Sequence, residues 1–168
     1  MINTLLGERA DKELTDEIKN KICKYKEVHG AYDLTLHNYG PSKIIGTVHI
    51  QVDDNMTAEQ LHSLTRKITV DIFNEFGIIF TVGIYASNDS GKFKDIKKEI
   101  VSTIKKYTEI KQIHGFYVDK KENDIYFDLI FDFECKNRES IKYEIINKLE
   151  NKYPEYKFNV ILDDDISD

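Results

Sequence analysis

The chain is poor in the residues that carry most recognisable chemistry. Its two cysteines, Cys23 and Cys135, are far apart and form no CxxC pattern. That excludes a disulfide framework and a thiolate zinc knuckle, and it fits a reducing compartment. No run approaches the roughly eighteen unbroken apolar residues of a membrane helix, and no signal peptide is present. Basic residues are not in excess: 24 Lys and Arg stand against 30 Asp and Glu, a formal charge of −6. A nucleic-acid binder needs a basic footprint, and neither half of the chain offers one. Gly-rich phosphate loops, GxSxG, HExxH and EF-hand patterns are all missing. Neither cysteine has an acid–base pair near it, and Cys23, beside Ile22, reads as a buried helix thiol. Without a paired acid–base constellation the chain does not read as an enzyme.

What is present is a globular composition, 40% hydrophobic and 32% charged with a mean hydropathy of −0.48, and a phrase that occurs twice. Val28-His29-Gly30-Ala31-Tyr32 recurs as Ile113-His114-Gly115-Phe116-Tyr117, each after an amphipathic run ending in Lys-Tyr. A chain that repeats itself at half its length is most simply two copies of one small fold.

The first copy opens with a lead-in, residues 1–12. Thr15 is placed to cap a helix whose Ile18, Ile22 and Tyr25 share one side. A strand with Leu34 and Leu36 follows, then turn chemistry at Tyr39-Gly40-Pro41-Ser42. In the next strand Val48, Ile50 and Val52 alternate with Thr47, His49 and Gln51, so one face is buried and one open. Thr57 and Gln60 form a capping box flanked by the staple Met56 and Leu61. They start a helix with Leu64, Ile68 and Ile72 on one side, which Gly77 ends. Ile78, Phe80, Val82 and Ile84 alternate as a third strand. The stretch from Ala86 to Gly91 is small and polar, a linker.

The second copy repeats this order. It has a helix through Ile96, Ile100 and Ile104, a strand over 113–118, and a strand with Phe127, Leu129, Phe131 and Phe133 inward. A helix with Ile141, Ile145 and Leu149 precedes Pro154, a strand with Phe158, Val160 and Leu162 closes the unit, and an acidic tail ends it. The expected fold is α+β: two tandem ferredoxin-like αββαβ units, residues 1–87 and 88–168. Each is a three-stranded sheet with two helices on one face. Units of this size have marginal cores, so pairing between units or between chains should add stability.

The order and spacing of the first copy resemble a known family. Leu5-Leu6-Gly7-Glu8, Val28 to Leu34, Tyr39-Gly40-Pro41, Val48 to Val52 and Gln60-Leu61-His62 are similar to the cytosolic C-terminal domain of cation diffusion facilitator transporters, over roughly residues 2–86. The resemblance implies the soluble portion of a longer protein on the cytoplasmic face of the cell membrane. Its partners would be a second copy of itself, as a homodimer, and the transmembrane part of the same transporter. It implies a divalent ion near the dimer interface, zinc first, with manganese or iron as alternatives. The fragment itself would neither insert in the membrane nor bind nucleic acid. Of the family's usual ligand positions, His49 and His62 are kept, whereas Tyr32, Ile84 and Ala86 stand where other donors are common. The second copy, 88–168, is a departure from the usual single domain.

The candidate metal ligands are therefore His49, His62 and Asp33. His49 is either an exposed or interface-packed histidine or a ligand helped by Asp33, Asp53, Asp54 or a second protomer. His62, at the margin of its helix stripe, is either solvated or a ligand. His29 and His114 occupy equivalent places in the repeated phrase, which suggests a structural role. His37 reads as a surface residue. Asp128, in the second copy's place for His49, is either solvated or a ligand for a hard cation. The expected function is a regulatory and dimerisation domain of a divalent-cation efflux transporter. The alternative is a stand-alone ferredoxin-like sensor of a small ligand, or an assembly module.

Overall fold

A computed structural model describes residues 12–40, 43–88 and 91–163. The Leu5-Leu6-Gly7-Glu8 motif, most of the lead-in, Pro41-Ser42, Asp89-Ser90 and the tail beyond Asp163 lie outside the described residues. The chain divides into two compact units, one ending at Tyr85 and the next beginning at Ala86. The fold is α+β, two tandem αββαβ units. Among the described residues no helix is long and apolar enough to cross a membrane.

The first unit runs α1 (Lys12–Ile22), β1 (Gly30–Asn38), β2 (Ile44–Asp53), α2 (Ala58–Phe76) and β3 (Ile78–Ser87), with sheet order β1-β2-β3. Its core gathers Ile18 and Ile22 of α1, Leu64, Ile68 and Ile72 of α2, and Leu34, Val48, Ile50, Val52, Ile78 and Phe80 of the strands. The helical residues recur every fourth position and the β2 residues every second. One helix stripe therefore meets one sheet face, and each buried aliphatic side chain contributes about 1.5–3 kcal/mol. The α2 cap is as expected: the Thr57 hydroxyl accepts from the Gln60 N–H, the Gln60 side chain accepts from the Thr57 N–H, and Gly77 closes the helix at φ 70°. Thr15 does not cap α1. It lies inside the first turn, 1% exposed, where its hydroxyl donates to the Lys12 carbonyl at 2.9 Å. Nor is Cys23 buried: it follows the last residue of α1 and is exposed.

The second unit contains α3 (Lys92–Ile104), β4 (Ile110–Asp119), β5 (Asp124–Phe131), α4 (Arg138–Lys152) and β6 (Lys157–Asp163), with sheet order β4-β5-β6. Ile96, Ile100, Ile141, Ile145 and Leu149 pack on Phe116, Val118, Ile125, Phe127, Leu129 and Phe158. Phe133, expected inward, is 91% exposed. The strand ends at Phe131 because the Asp132 carboxylate accepts the Glu134 N–H, and Arg138 donates to the carbonyls of Asp132, Phe133 and Cys135. The stretch read as a loose linker is ordered where it is described: Ser87 ends β3, and Ser87 and Asn88 are both buried.

Both first strands carry a bulge at the same place. In β1 the register to β2 slips between Tyr32 and Thr35, and in β4 the register to β5 slips between His114 and Tyr117. Each slip holds a residue of positive φ, Asp33 at 53° and Gly115 at 64°. Tyr32 is paired with His49, and His114 with Asp128. His114 therefore corresponds to Tyr32, and the equivalence of His114 with His29 fails. His29 is an exposed residue just before β1, with Nε2 3.1 Å from Asp53 Oδ1. His114 lies inside a strand and is buried. The twice-occurring phrase is thus displaced from the structural correspondence by three residues, while the order of elements repeats.

Candidate metal centre

The bulge in β1 explains how the first unit's polar cluster forms. Tyr32 is paired with His49 on the outer face of the sheet, yet Leu34, two residues on, is 1% exposed in the core. Regular alternation would put both on one face. The inserted Asp33 breaks the alternation and turns its own side chain outward. A left-handed backbone at a non-glycine residue costs about 1–2 kcal/mol, and aspartate is among the residues that bear it best.

Asp33 Oδ2 lies 2.9 Å from His49 Nδ1 and accepts a 2.7 Å hydrogen bond from the Tyr85 hydroxyl. The Tyr85 ring stacks on the imidazole with centroids 4.6 Å apart and planes 26° from parallel. Gly83 makes room for that imidazole: a Cβ there would stand 2.2 Å from His49 Cδ2. Beside this group the Tyr32 hydroxyl donates to Gln51 Oε1 at 3.3 Å, and burial pushes the Tyr32 phenol above its ordinary pKa. The Asp33 side chain is 19% exposed and that of His49 43%, so the pair is anchored on one side and open on the other.

Of the three residues the sequence offers as ligands, Asp33 and His49 come together. His62 does not join them. It is an exposed residue of α2, the helix packed on the inner sheet face, whereas His49 lies between Val48 and Ile50 and points the other way. His37 is exposed, as expected. Tyr85 and Gly83 were missed, although the alternation of Phe80, Val82 and Ile84 already sets them on the outer face. A glycine inside a strand is itself a mark of close approach.

In the second unit the matching position, Asp128, is 8% exposed, so it is not the solvated carboxylate expected from the alternation. Its Oδ2 lies 3.4 Å from Nδ1 of His114, whose side chain has no exposed surface.

Comparison with known proteins finds likenesses to part of the chain. The family model described as the cation efflux protein, cytoplasmic domain, matches residues 10–84. No protein of curated function matches the chain. Among solved structures, a doubly substituted MamM CTD is 20% identical over 46% of this chain and all of its own, with a TM-score of 0.42. The cadmium form of a singly substituted MamM CTD is 21% identical over the same shares, also at 0.42. A copper form of another variant is 21% identical at 0.41. The matched residues fall in the first unit, which is therefore the part of this chain similar to the cation efflux protein cytoplasmic domains.

Proposed function

We propose that the chain is the regulatory and dimerisation part of a divalent-cation efflux transporter, standing at the cytoplasmic face of the membrane. In this reading His49 and Asp33 supply half of a metal site. The observation that supports it most is the 2.9 Å pairing of an imidazole nitrogen with a carboxylate oxygen inside the segment that the family model covers. A closed zinc site takes four ligands at about 2.0–2.3 Å. One imidazole and one carboxylate from each of two protomers across a twofold axis make such a set. Zinc suits these donors best, with manganese and iron as alternatives.

Tyr85 has a separate part. Its hydroxyl holds the carboxylate and its ring holds the imidazole, so both donors keep one orientation before the ion arrives. An ion that binds only when two protomers close stabilises the closed pair, and so biases the membrane part to which they would be joined.

The test is light scattering and calorimetry on this chain with zinc, manganese and iron(II). Expected are a dimer that metal tightens, one zinc per dimer in the first unit, and loss of that binding in His49→Ala. His62→Ala should bind like the wild type. A chain that stays monomeric at high concentration with and without metal would remove the reading, and so would a His49→Ala titration identical to the wild type.

A further inference from the structure

We infer that α3 of the second unit carries a docking face for anionic lipid headgroups, built on Lys94, Lys98 and Lys105 with Lys97 beside them. The inference rests on one point of the proposed function, the place of the chain at the cytoplasmic face of a membrane. It asks for adsorption to that surface, without insertion.

Helical spacing makes the face. α3 buries Ile96, Ile100, Thr103 and Ile104 against the second unit. Lys94, Lys98, Val101 and Lys105 follow one another at steps of four, three and four, so they share the side away from the core. At about 1.5 Å per residue the stripe is about 16 Å long. Lys94, Lys98 and Lys105 are exposed, and Val101, between the charges, is half-buried. Lys97 lies half-buried at the margin, its ammonium 5.7 Å from the centre of the Phe116 ring.

Positive charge is concentrated here against the trend of the chain. Residues 92–106 hold six of the 24 Lys and Arg but only two of the 30 Asp and Glu. Both of those acids are engaged: Asp95 Oδ1 lies 3.5 Å from Lys98 Nζ, and Glu99 Oε2 lies 2.8 Å from Lys152 Nζ of α4. Lys94 and Lys105 have no carboxylate partner among the described residues. Helix stability does not account for the whole stripe. A cation at the C-terminal end, such as Lys105, complements the macrodipole, but Lys94 stands in the first turn, where the macrodipole disfavours it.

A straight row of ammonium groups with one aliphatic side chain among them complements a flat surface of anionic headgroups. Each lysine near such a leaflet raises partitioning about fivefold. Single-stranded nucleic acid fits less well, because it is bound on aromatic rings as well as on charge, and no aromatic residue lies on the stripe. The acidic remainder of the chain adds orientation: an anionic surface attracts α3 and repels the rest.

The experiment is co-sedimentation of the full chain, without divalent ions, with phosphatidylcholine vesicles that contain either no phosphatidylserine or about a third of it. Expected is partitioning onto the anionic vesicles alone, lost in about 1 M salt, where the screening length falls to about 3 Å. Lys94→Gln/Lys98→Gln/Lys105→Gln should lower it about 100-fold and keep the wild-type circular dichroism and melting point. Lys24→Gln/Lys26→Gln/Lys67→Gln, which removes the same charge from exposed positions of the first unit, should bind like the wild type. So should His49→Ala: loss of the proposed metal site leaves this result standing, and failure here leaves that site standing. No partitioning, or equal partitioning onto both kinds of vesicle, overturns the inference. So does a Lys94/Lys98/Lys105 variant that partitions like the wild type. Retention of a labelled single-stranded RNA, lost in that variant and with no vesicle binding, would assign the stripe to RNA and overturn it too.

Discussion

The Asn88 side chain is bound to both backbone groups of Val118: its Nδ2 donates to the Val118 carbonyl at 2.8 Å, and its Oδ1 accepts the Val118 N–H at 3.0 Å. β4 is an edge strand, so one amide side chain stands in for a missing strand neighbour. Both partners are buried, Asn88 at 4% and Val118 at 0%. Asn88→Ala should orphan two buried backbone groups, at about 1–3 kcal/mol each. The melting point of the second unit's transition should fall by about 4–8 °C per kcal/mol. Asn88→Asp, which loses the donor alone, should fall between wild type and alanine. An unchanged melting curve for Asn88→Ala would show that water replaces the amide at no cost.

Gly83 reports on the imidazole above it. A methyl group there would meet His49 Cδ2 at 2.2 Å and Nε2 at 2.5 Å, so Gly83→Ala must push the ring off Tyr85 or bend β3. Overpacking of this kind costs about 1–3 kcal/mol. Imidazole resonances of His49 should shift, and zinc affinity in the first unit should drop. A Gly83→Ala protein with unmoved His49 resonances would contradict the close approach.

Much of the fold was legible because the governing signals are local. The Thr57 and Gln60 box, the Gly77 stop and the fourfold spacing of Ile141, Ile145 and Leu149 each fix an element without help from the rest of the chain. The bulges were not legible. Nothing in Tyr32-Asp33-Leu34 marks a slip of register, since aspartate tolerates positive φ but does not require it, and the partners of its side chain, Tyr85 and His49, lie far away in sequence. For the same reason the repeated His-Gly phrase misleads: sequence likeness aligns His114 with His29, whereas strand pairing aligns it with Tyr32. Asp33 and His49 were named as candidates, but their meeting depends on that slip. Phe133 was misplaced because alternation was continued past a turn that Asp132 and Arg138 make.

The α2 caps give a graded stability test. Thr57→Ala removes one half of the box and should cost about 1 kcal/mol. Gly77 sits at φ 70°, and a methyl group on it would meet no atom within 4 Å. Its change to alanine should cost a similar amount through backbone strain alone. Gly77→Asn should recover part of the loss, since asparagine tolerates the left-handed region. Chemical denaturation of the three variants would measure this. Equal stabilities of Gly77→Ala and the wild type would mean that the helix end relaxes.

Tyr25 should set an alkaline limit on the first unit. Its hydroxyl donates to the Asp71 carboxylate of α2, and its phenol is pushed up to about 12, first by burial and then by that hydrogen bond. The ordinary value is about 10. Because the folded value is the higher one, the neutral phenol is favoured in the fold. The stabilisation is complete below pH 10 and is lost as the pH rises from 10 through 12. The phenol is half-buried at the edge of the core, and solvent screening keeps its worth to about 1 kcal/mol. Absorbance titration of the phenolates should show a last ionising step in the wild type that is missing from Tyr25→Phe. In Asp71→Asn the late step should move down only in part, because burial is the larger cause. If Asp71→Asn returned Tyr25 to the ordinary value, the hydrogen bond and not burial would govern the shift.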